Sequence, residues 1–215
     1  MREPMATAVP LPEARPASIR SKGASEVAEQ RFLLSHVPWW MYVAMRDSLG
    51  DDGTRMTYLD GRLELMSPSL DHEAAKTLIA RLLEAWAVEA LVDLWGFGST
   101  TFRKEAKKRG LEPDECYALE EITADGAPAI ALEIVVSSPL LDKLDVYAGL
   151  GVAEVWIWQD GRLTVKRLVG EHYEQRARSE VLPQLDLDLL ASFVRRGESP
   201  TALTRAYLAA LRAAG

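Results

Sequence analysis

The chain has 215 residues, with 25 Lys and Arg against 32 Asp and Glu and a net charge of −7. That length suffices to bury a core without staples, and a single cysteine (Cys116) with three scattered histidines (His36, His72 and His172) excludes a disulfide framework or cysteine-based zinc cluster within the chain. The acidic balance argues against a protein that coats nucleic acid through bulk charge, while leaving room for a local basic patch.

Residues 1–30 contain Pro4, Pro10, Pro12 and Pro16 and no aromatic residue. Such a segment buries too little surface to offset chain entropy, so it is expected to be a flexible tail. It has no continuous apolar stretch of the secretory kind, and nothing in the chain approaches the ~20 apolar residues of a membrane helix, so the expected location is cytoplasmic. Residues 31–215 are expected to form one domain.

A helix is predicted after Pro38, carrying Trp39, Trp40, Tyr42, Val43 and Met45. A turn over 50–53 leads to two strands within 56–67, joined at Asp60-Gly61. Ser67 to Asp71 caps a long helix whose core face is Ala75, Leu78, Ile79, Leu82, Leu83, Trp86 and Ala90. Strands are predicted over 97–102 and 110–119, with the basic run Arg103, Lys104, Lys107, Lys108 and Arg109 between them. The almost wholly apolar stretch 128–136 reads as the centre of a sheet covered on both faces. A helix over 139–150, with core positions Leu140, Leu144, Tyr147 and Leu150, ends at Gly151. Strands follow at 154–158 and 162–168, turned at Asp160-Gly161, then an edge strand near 173–177 and two helices over 185–193 and 201–213. This order describes an α/β fold with a central mixed sheet flanked by helices.

Glu133 is out of place inside its apolar strand. A lone buried carboxylate costs several kcal/mol or takes up a proton unless a cation compensates it. It either meets a Lys or Arg at the sheet edge or serves as a metal ligand or catalytic carboxylate. Asp114, in Glu112-Pro113-Asp114-Glu115, is a turn residue on its own, but two acids on adjacent strands can converge on one hard cation. Lys143 points either over the strand ends or into solvent. Glu64, alternating with Leu63 and Leu65, faces either solvent or the same acids. His72 opens the long helix and suits a capping or structural role.

In this order the residues resemble the PD-(D/E)XK nuclease superfamily, and within it the Uma-two family of restriction-endonuclease-like proteins. The likeness is carried by segments 58–69 with His72-Glu73, 110–117, 132–138, Asp142-Lys143-Leu144 with Tyr147, and 150–156. It runs from about Val37 to Pro183. The superfamily pattern sets a lysine two residues after the second acid, where this chain has Val135. In the Uma-two family that lysine comes from the next helix, here Lys143.

The resemblance implies a restriction-endonuclease-like core and Mg²⁺-dependent hydrolysis of phosphodiesters in DNA, with Mn²⁺ able to substitute. Asp114 and Glu133 would hold the metal, with the Ile134 carbonyl as a further ligand and Glu64 holding a second ion or its water. Lys143 would orient the attacking water. No small-molecule cofactor is implied. The run 103–109, five bases and one acid, is either a contact to the DNA backbone or a solvated loop tip. Trp86, Trp156 and Trp158 are expected to pack in the core rather than stack on bases. Pairing of two copies through the apolar C-terminal helices is a further expectation. The alternatives are a catalytically silent binding or assembly module of the same fold, and a nuclease for RNA or branched DNA.

Overall fold

The computed structural model describes residues 28–50, 53–123, 126–139 and 141–214. Nearly all of the expected tail, together with Asp51, Asp52 and Leu140, lies outside them. In chain order the elements are β1 (Gln30–Leu34), α1 (Trp39–Leu49), β2 (Arg55–Leu59), β3 (Arg62–Ser67) and α2 (Leu70–Glu89), then β4 (Trp95–Gly96), β5 (Phe102–Lys104), β6 (Arg109–Leu111), β7 (Glu115–Ala118) and β8 (Ile130–Ile134). They are followed by α3 (Lys143–Leu150), β9 (Glu154–Gln159), β10 (Arg162–Val169), β11 (His172–Arg176), α4 (Leu187–Ser192) and α5 (Pro200–Ala214). None of the described helices is long and apolar enough to cross a membrane.

The strands form two sheets rather than one. A six-stranded sheet has the order β11-β10-β9-β8-β7-β4, and a five-stranded sheet the order β1-β3-β2-β6-β5. In the larger sheet β8 and β9 run parallel, joined through α3, and the other pairs are antiparallel. The sheet is therefore mixed, and β8 lies inside it, as its apolar run requires.

Side-chain alternation along β8 sends Ile130, Leu132 and Ile134 to one core and Ala131 to another. The first core joins Leu78, Ile79, Leu82 and Leu83 of α2 to Leu203 and Tyr207 of α5, with Trp86, Trp156 and Trp158 buried in it. The tryptophans thus pack, as expected. The apolar side chains Leu187, Leu190, Leu203 and Tyr207 of the two C-terminal helices pack into this core. The second core puts Leu141, Val146, Tyr147 and Leu150 against Ala131, Cys116 and Val155, with Leu59, Phe102 and Leu111 of the smaller sheet beyond. By the same alternation Glu133 points into this second layer.

Two strand expectations need correction. Of the predicted strand over 97–102, residues 97–101 form a loop between β4 and β5, which belong to different sheets, and Phe102 opens β5. The predicted strand over 110–119 is two strands, β6 in the smaller sheet and β7 in the larger. Pro113 has no N–H to give a ladder, and Glu112 turns to pair with the buried Arg46 at 2.9 Å, so the chain changes sheet there. The helix predicted from 139 starts four residues later, at Lys143, because Asp142 caps it by accepting from Leu144 N at 2.9 Å.

In the smaller sheet Tyr42 of α1 stacks on Tyr58, with ring centroids 5.0 Å apart, and its ring lies over Gly110 of β6. A Cβ at position 110 would come within 2.8 Å of Tyr42 Cε1 and Cζ. Gly110→Ala is therefore expected to destabilise the fold by about 1–3 kcal/mol through overpacking. Urea unfolding checks this: the midpoint should fall while the slope stays unchanged.

Candidate active site

The cap at Asp142 fixes where α3 begins, and its first residue reaches back to β8. Lys143 Nζ donates to Glu133 Oε2 at 2.6 Å. Tyr147, one turn later on the same helix face, donates its hydroxyl proton to Glu133 Oε1. Burial drives the Glu133 carboxyl above its ordinary range, and the negative charge of Asp114 adds to this, so the opposing charge of Lys143 does not fully offset them. For Lys143 burial works against the charge, but Glu133 and Asp114 together raise its pKa, so it stays an ammonium. Tyr147 is pushed far above the usual phenol value, first by burial and then by Glu133.

Asp114 stands at the entrance to β7, delivered there by the break at Pro113. Its backbone N–H donates to the Leu132 carbonyl at 3.2 Å, and its Oδ2 accepts from Ile134 N at 2.7 Å. It therefore straddles Glu133 on the neighbouring strand. The residue is wholly buried. Burial alone would raise its carboxyl pKa, but the contact with His72 and the charge of Lys143 bring it below the ordinary value.

Behind Asp114 lies a run of buried charges supplied by β1, β3 and α2. His72 Nε2 is 2.9 Å from Asp114 Oδ1, though off the line of a hydrogen bond, and His72 Nδ1 is 3.0 Å from Glu29 Oε2. Arg31 holds Glu29 through Nε at 2.9 Å and Nη2 at 2.8 Å, and its Nη1 donates to Glu64 Oε1. The other Glu64 oxygen accepts from Leu141 N at 2.9 Å. Ser137, just after β8, donates to Glu29 and accepts from Arg31. Burial lowers the His72 pKa, but Asp114 and Glu29 outweigh it and leave the imidazole more basic than usual.

Glu133 and Lys143 open onto a cavity of about 220 Å³ between the ends of β8 and β9 and the start of α3. Arg31, Ser138, Asp142 and Ile157 also line it. A crevice outside the carboxyl ends of parallel strands is the usual binding place in α/β sheets.

The structure thus brings Asp114, Glu133 and Lys143 together. Glu64 joins the same network through Arg31, as an anion that holds this arginine, and not as a third carboxylate on one point. Among the described residues no three His, Cys, Asp or Glu side chains gather as a ligand set. The basic run lies elsewhere, at the far end of α3, about 10 Å along the helix from Lys143. There Arg103 pairs with Asp47 at 2.9 Å, Lys104 donates to the Leu150 carbonyl at 3.2 Å, and Arg109 packs on Gly149, which leaves Lys107 and Lys108 exposed.

Sequence reasoning missed Glu29, Arg31, Tyr147 and the His72 ring. The capping reading of His72 agrees with its backbone N–H, which donates to the Ser69 cap at 3.2 Å; what the sequence does not show is the ring's pairing with Glu29 and Asp114. Tyr147 had a readable signal in its spacing of four from Lys143. Glu29 and Arg31 had none: Glu29 falls in the stretch read as a tail, and Arg31 is the first residue after it.

A family model described as "Uma2: Putative restriction endonuclease" matches residues 41–197, most of the chain. Among solved structures, the chain is similar at 14% identity and a TM-score of 0.46 to a crystal structure described as a "putative nuclease belonging to DUF820" from Anabaena variabilis. That alignment covers 80% of this chain and 99% of the other. No curated protein matches the chain.

Arg31 pairs with both Glu29 and Glu64, so Arg31→Met is expected to cost about 3–5 kcal/mol by removing that charge from beside two buried carboxylates. Burial raises the Glu29 pKa, but the Ser137 hydrogen bond and the Arg31 charge more than reverse this and hold it below the usual value of 4.5. Its stabilisation is complete above that value and fades as pH falls through the lower folded one. The gap between wild type and Arg31→Met should therefore be widest near neutrality and narrow below about pH 4.5. Urea midpoints taken from pH 4 to 7.5 check it.

Proposed function

The chain belongs to the Uma2 family, and on that premise we propose that it is a divalent-cation-dependent endonuclease hydrolysing phosphodiester bonds in DNA, using Mg²⁺ with Mn²⁺ able to replace it. The observation that carries this reading is the pairing of two buried carboxylates, Asp114 and Glu133, beside the half-buried Lys143 at the mouth of a cavity. Mg²⁺ is commonly held by one or two carboxylates, the rest of its shell being water and substrate phosphate. The donor set fits that demand. Each carboxylate oxygen of Glu133 carries one donor and keeps a lone pair, and Asp114 Oδ1, paired with the His72 ring at 2.9 Å, keeps one as well. Glu64 does not fit, since Arg31 and Leu141 already engage both of its oxygens.

A bound divalent ion supplies a polarised phosphate and a water that ionises near neutral pH. The chain's own residues do the positioning. Lys143, charged and fixed by Glu133, offers its remaining protons to the phosphate oxygens and the attacking water, and offsets the charge that builds up during the displacement. Tyr147 holds Glu133 from the other side and prevents it from swinging. The exposed Lys107 and Lys108 are left to meet phosphates away from the one being cleaved.

The test is cleavage of supercoiled and linear DNA in Mg²⁺ or Mn²⁺, with and without chelator, by wild type, Asp114→Asn and Glu133→Gln. Wild type is expected to nick DNA only with metal. Each variant is expected to lose more than about 100-fold, beyond what loss of a supporting residue costs. Equal cleavage by all three proteins would overturn the site. Failure of wild type to cleave DNA, RNA or branched substrates would mark the chain as a binding module on the nuclease fold.

A further inference from the structure

We infer that the cavity beside Glu133 and Lys143 receives one unstacked nucleobase of the substrate, so that the site acts where a nucleotide is free to leave the helix: single strands, mismatches, bulges and flaps. The inference rests on the reading of Asp114 and Glu133 as the metal-binding acids and names the form of DNA they act on.

Three observations carry it. First, the cavity is larger than the chemistry of the acids requires. Its volume of about 220 Å³ is roughly seven times the ~30 Å³ that a water occupies in the liquid. An octahedral ion held by two carboxylates leaves only about four positions to water and phosphate. Second, its walls are largely aliphatic. Strand β9 runs parallel to β8 with Ile157 opposite Glu133, and alternation puts Val155 and Gln159 on the same face. Pro139 and Leu144, from the segment that enters α3, line the cavity as well. Apolar walls with a few placed polar groups suit an organic ring, whereas a hydrated cation gains nothing from them. Third, the polar groups follow an order. Lys143, held against Glu133 at 2.6 Å, marks where the phosphate belongs. Ile157 comes next, and Gln159 stands two residues further along β9, about 6.6 Å by strand rise. Its side chain is exposed, and an amide both donates and accepts, as the edge of a base requires. Charge, aliphatic surface and amide thus succeed one another as phosphate, ring face and base edge do in a nucleotide.

Paired DNA does not offer such a group freely. In a duplex the bases are stacked and their edges taken, so filling the cavity costs unstacking, and that cost is least for a mismatched or single-stranded base. The net charge of −7 points the same way, because a protein with little bulk positive charge holds a duplex poorly and recognition falls to the pocket. The competing arrangement leaves the cavity to water while an intact duplex lies across it.

The deciding experiment reads binding and cleavage separately. Oligonucleotides carrying 2-aminopurine are prepared as a single strand, as a perfect duplex, and as a duplex with the 2-aminopurine unpaired in a bulge. Binding is followed by anisotropy and 2-aminopurine fluorescence in Ca²⁺, and cleavage in Mg²⁺ or Mn²⁺. Wild type is expected to bind and cut the single strand and the bulge about 10–100-fold better than the perfect duplex, with a change in fluorescence on binding. Ile157→Trp fills the cavity while keeping both acids and Lys143, and should abolish that preference. Gln159→Leu alters only an exposed side chain, which covers the case in which Ile157→Trp does not fold, and should weaken binding of the unpaired base about 5-fold. Perfect duplex cut as well as the bulge by wild type and both variants would overturn the base pocket and leave the metal-dependent nuclease standing. Preferential binding of unpaired DNA with no cleavage of any substrate would support the pocket and overturn the nuclease reading. Neither binding nor cleavage would overturn both.

Discussion

A carboxylate in the middle of an otherwise apolar strand is the constraint from which the site follows. Every other residue of β8 goes to a hydrophobic core, and Glu133 alone cannot. A cation must meet it, since leaving it alone costs several kcal/mol or its charge. Lys143 meets it at 2.6 Å and Tyr147 completes the cradle, which ties the start of α3 to the end of β8. Even so, burial and the nearby charge of Asp114 keep the Glu133 pKa raised. The pair of acids retains an appetite for positive charge beyond what one lysine supplies, and it does so beside a cavity.

Much of the surrounding architecture serves that arrangement. Pro113 ends β6 and forces the chain into the larger sheet, and the first residue after the break is Asp114. Asp142 stops α3 from starting earlier and so sets Lys143 at the point nearest β8. The strand β1 pairs with β3 so that Leu33 lies opposite Glu64, which puts Arg31 on the same face and within diagonal reach of that acid. From there Arg31, Glu29 and His72 form a continuous line of opposite charges ending at Asp114. Ion pairs this deep offset desolvation rather than add much stability, so their worth is in fixing one arrangement of the acids.

The helices and the central strands were legible because their signals are local. The face of α2, the apolar run of β8 and the Asp-Gly hairpins each follow from spacing alone. Glu133 was legible for the same reason, as a polar residue breaking an apolar pattern. The split into two sheets was not, because Pro113 marks a break without saying where the chain goes next. The strand β1 was hidden by its exposure: it is an edge strand with Phe32 60% exposed, and edge strands lack the alternation that a buried face imposes. Glu29 and His72 meet across 43 residues of sequence, and no local pattern encodes a contact of that kind. The basic run was legible only as a density of charge: in the fold Arg103 pairs with the exposed Asp47, Lys104 donates to the Leu150 carbonyl and Arg109 lies against Gly149, contacts that no local pattern encodes.

The central claim is that Asp114 and Glu133 are held as a pair to receive a divalent cation. Anomalous diffraction from crystals of the protein soaked in Mn²⁺ tests it most directly. The account predicts one strong peak in the space bounded by these two carboxylates, within bonding distance of Asp114 Oδ1. Peaks confined to exposed acids, with both carboxylates unoccupied and Glu133 still closed by Lys143 and Tyr147, would contradict it.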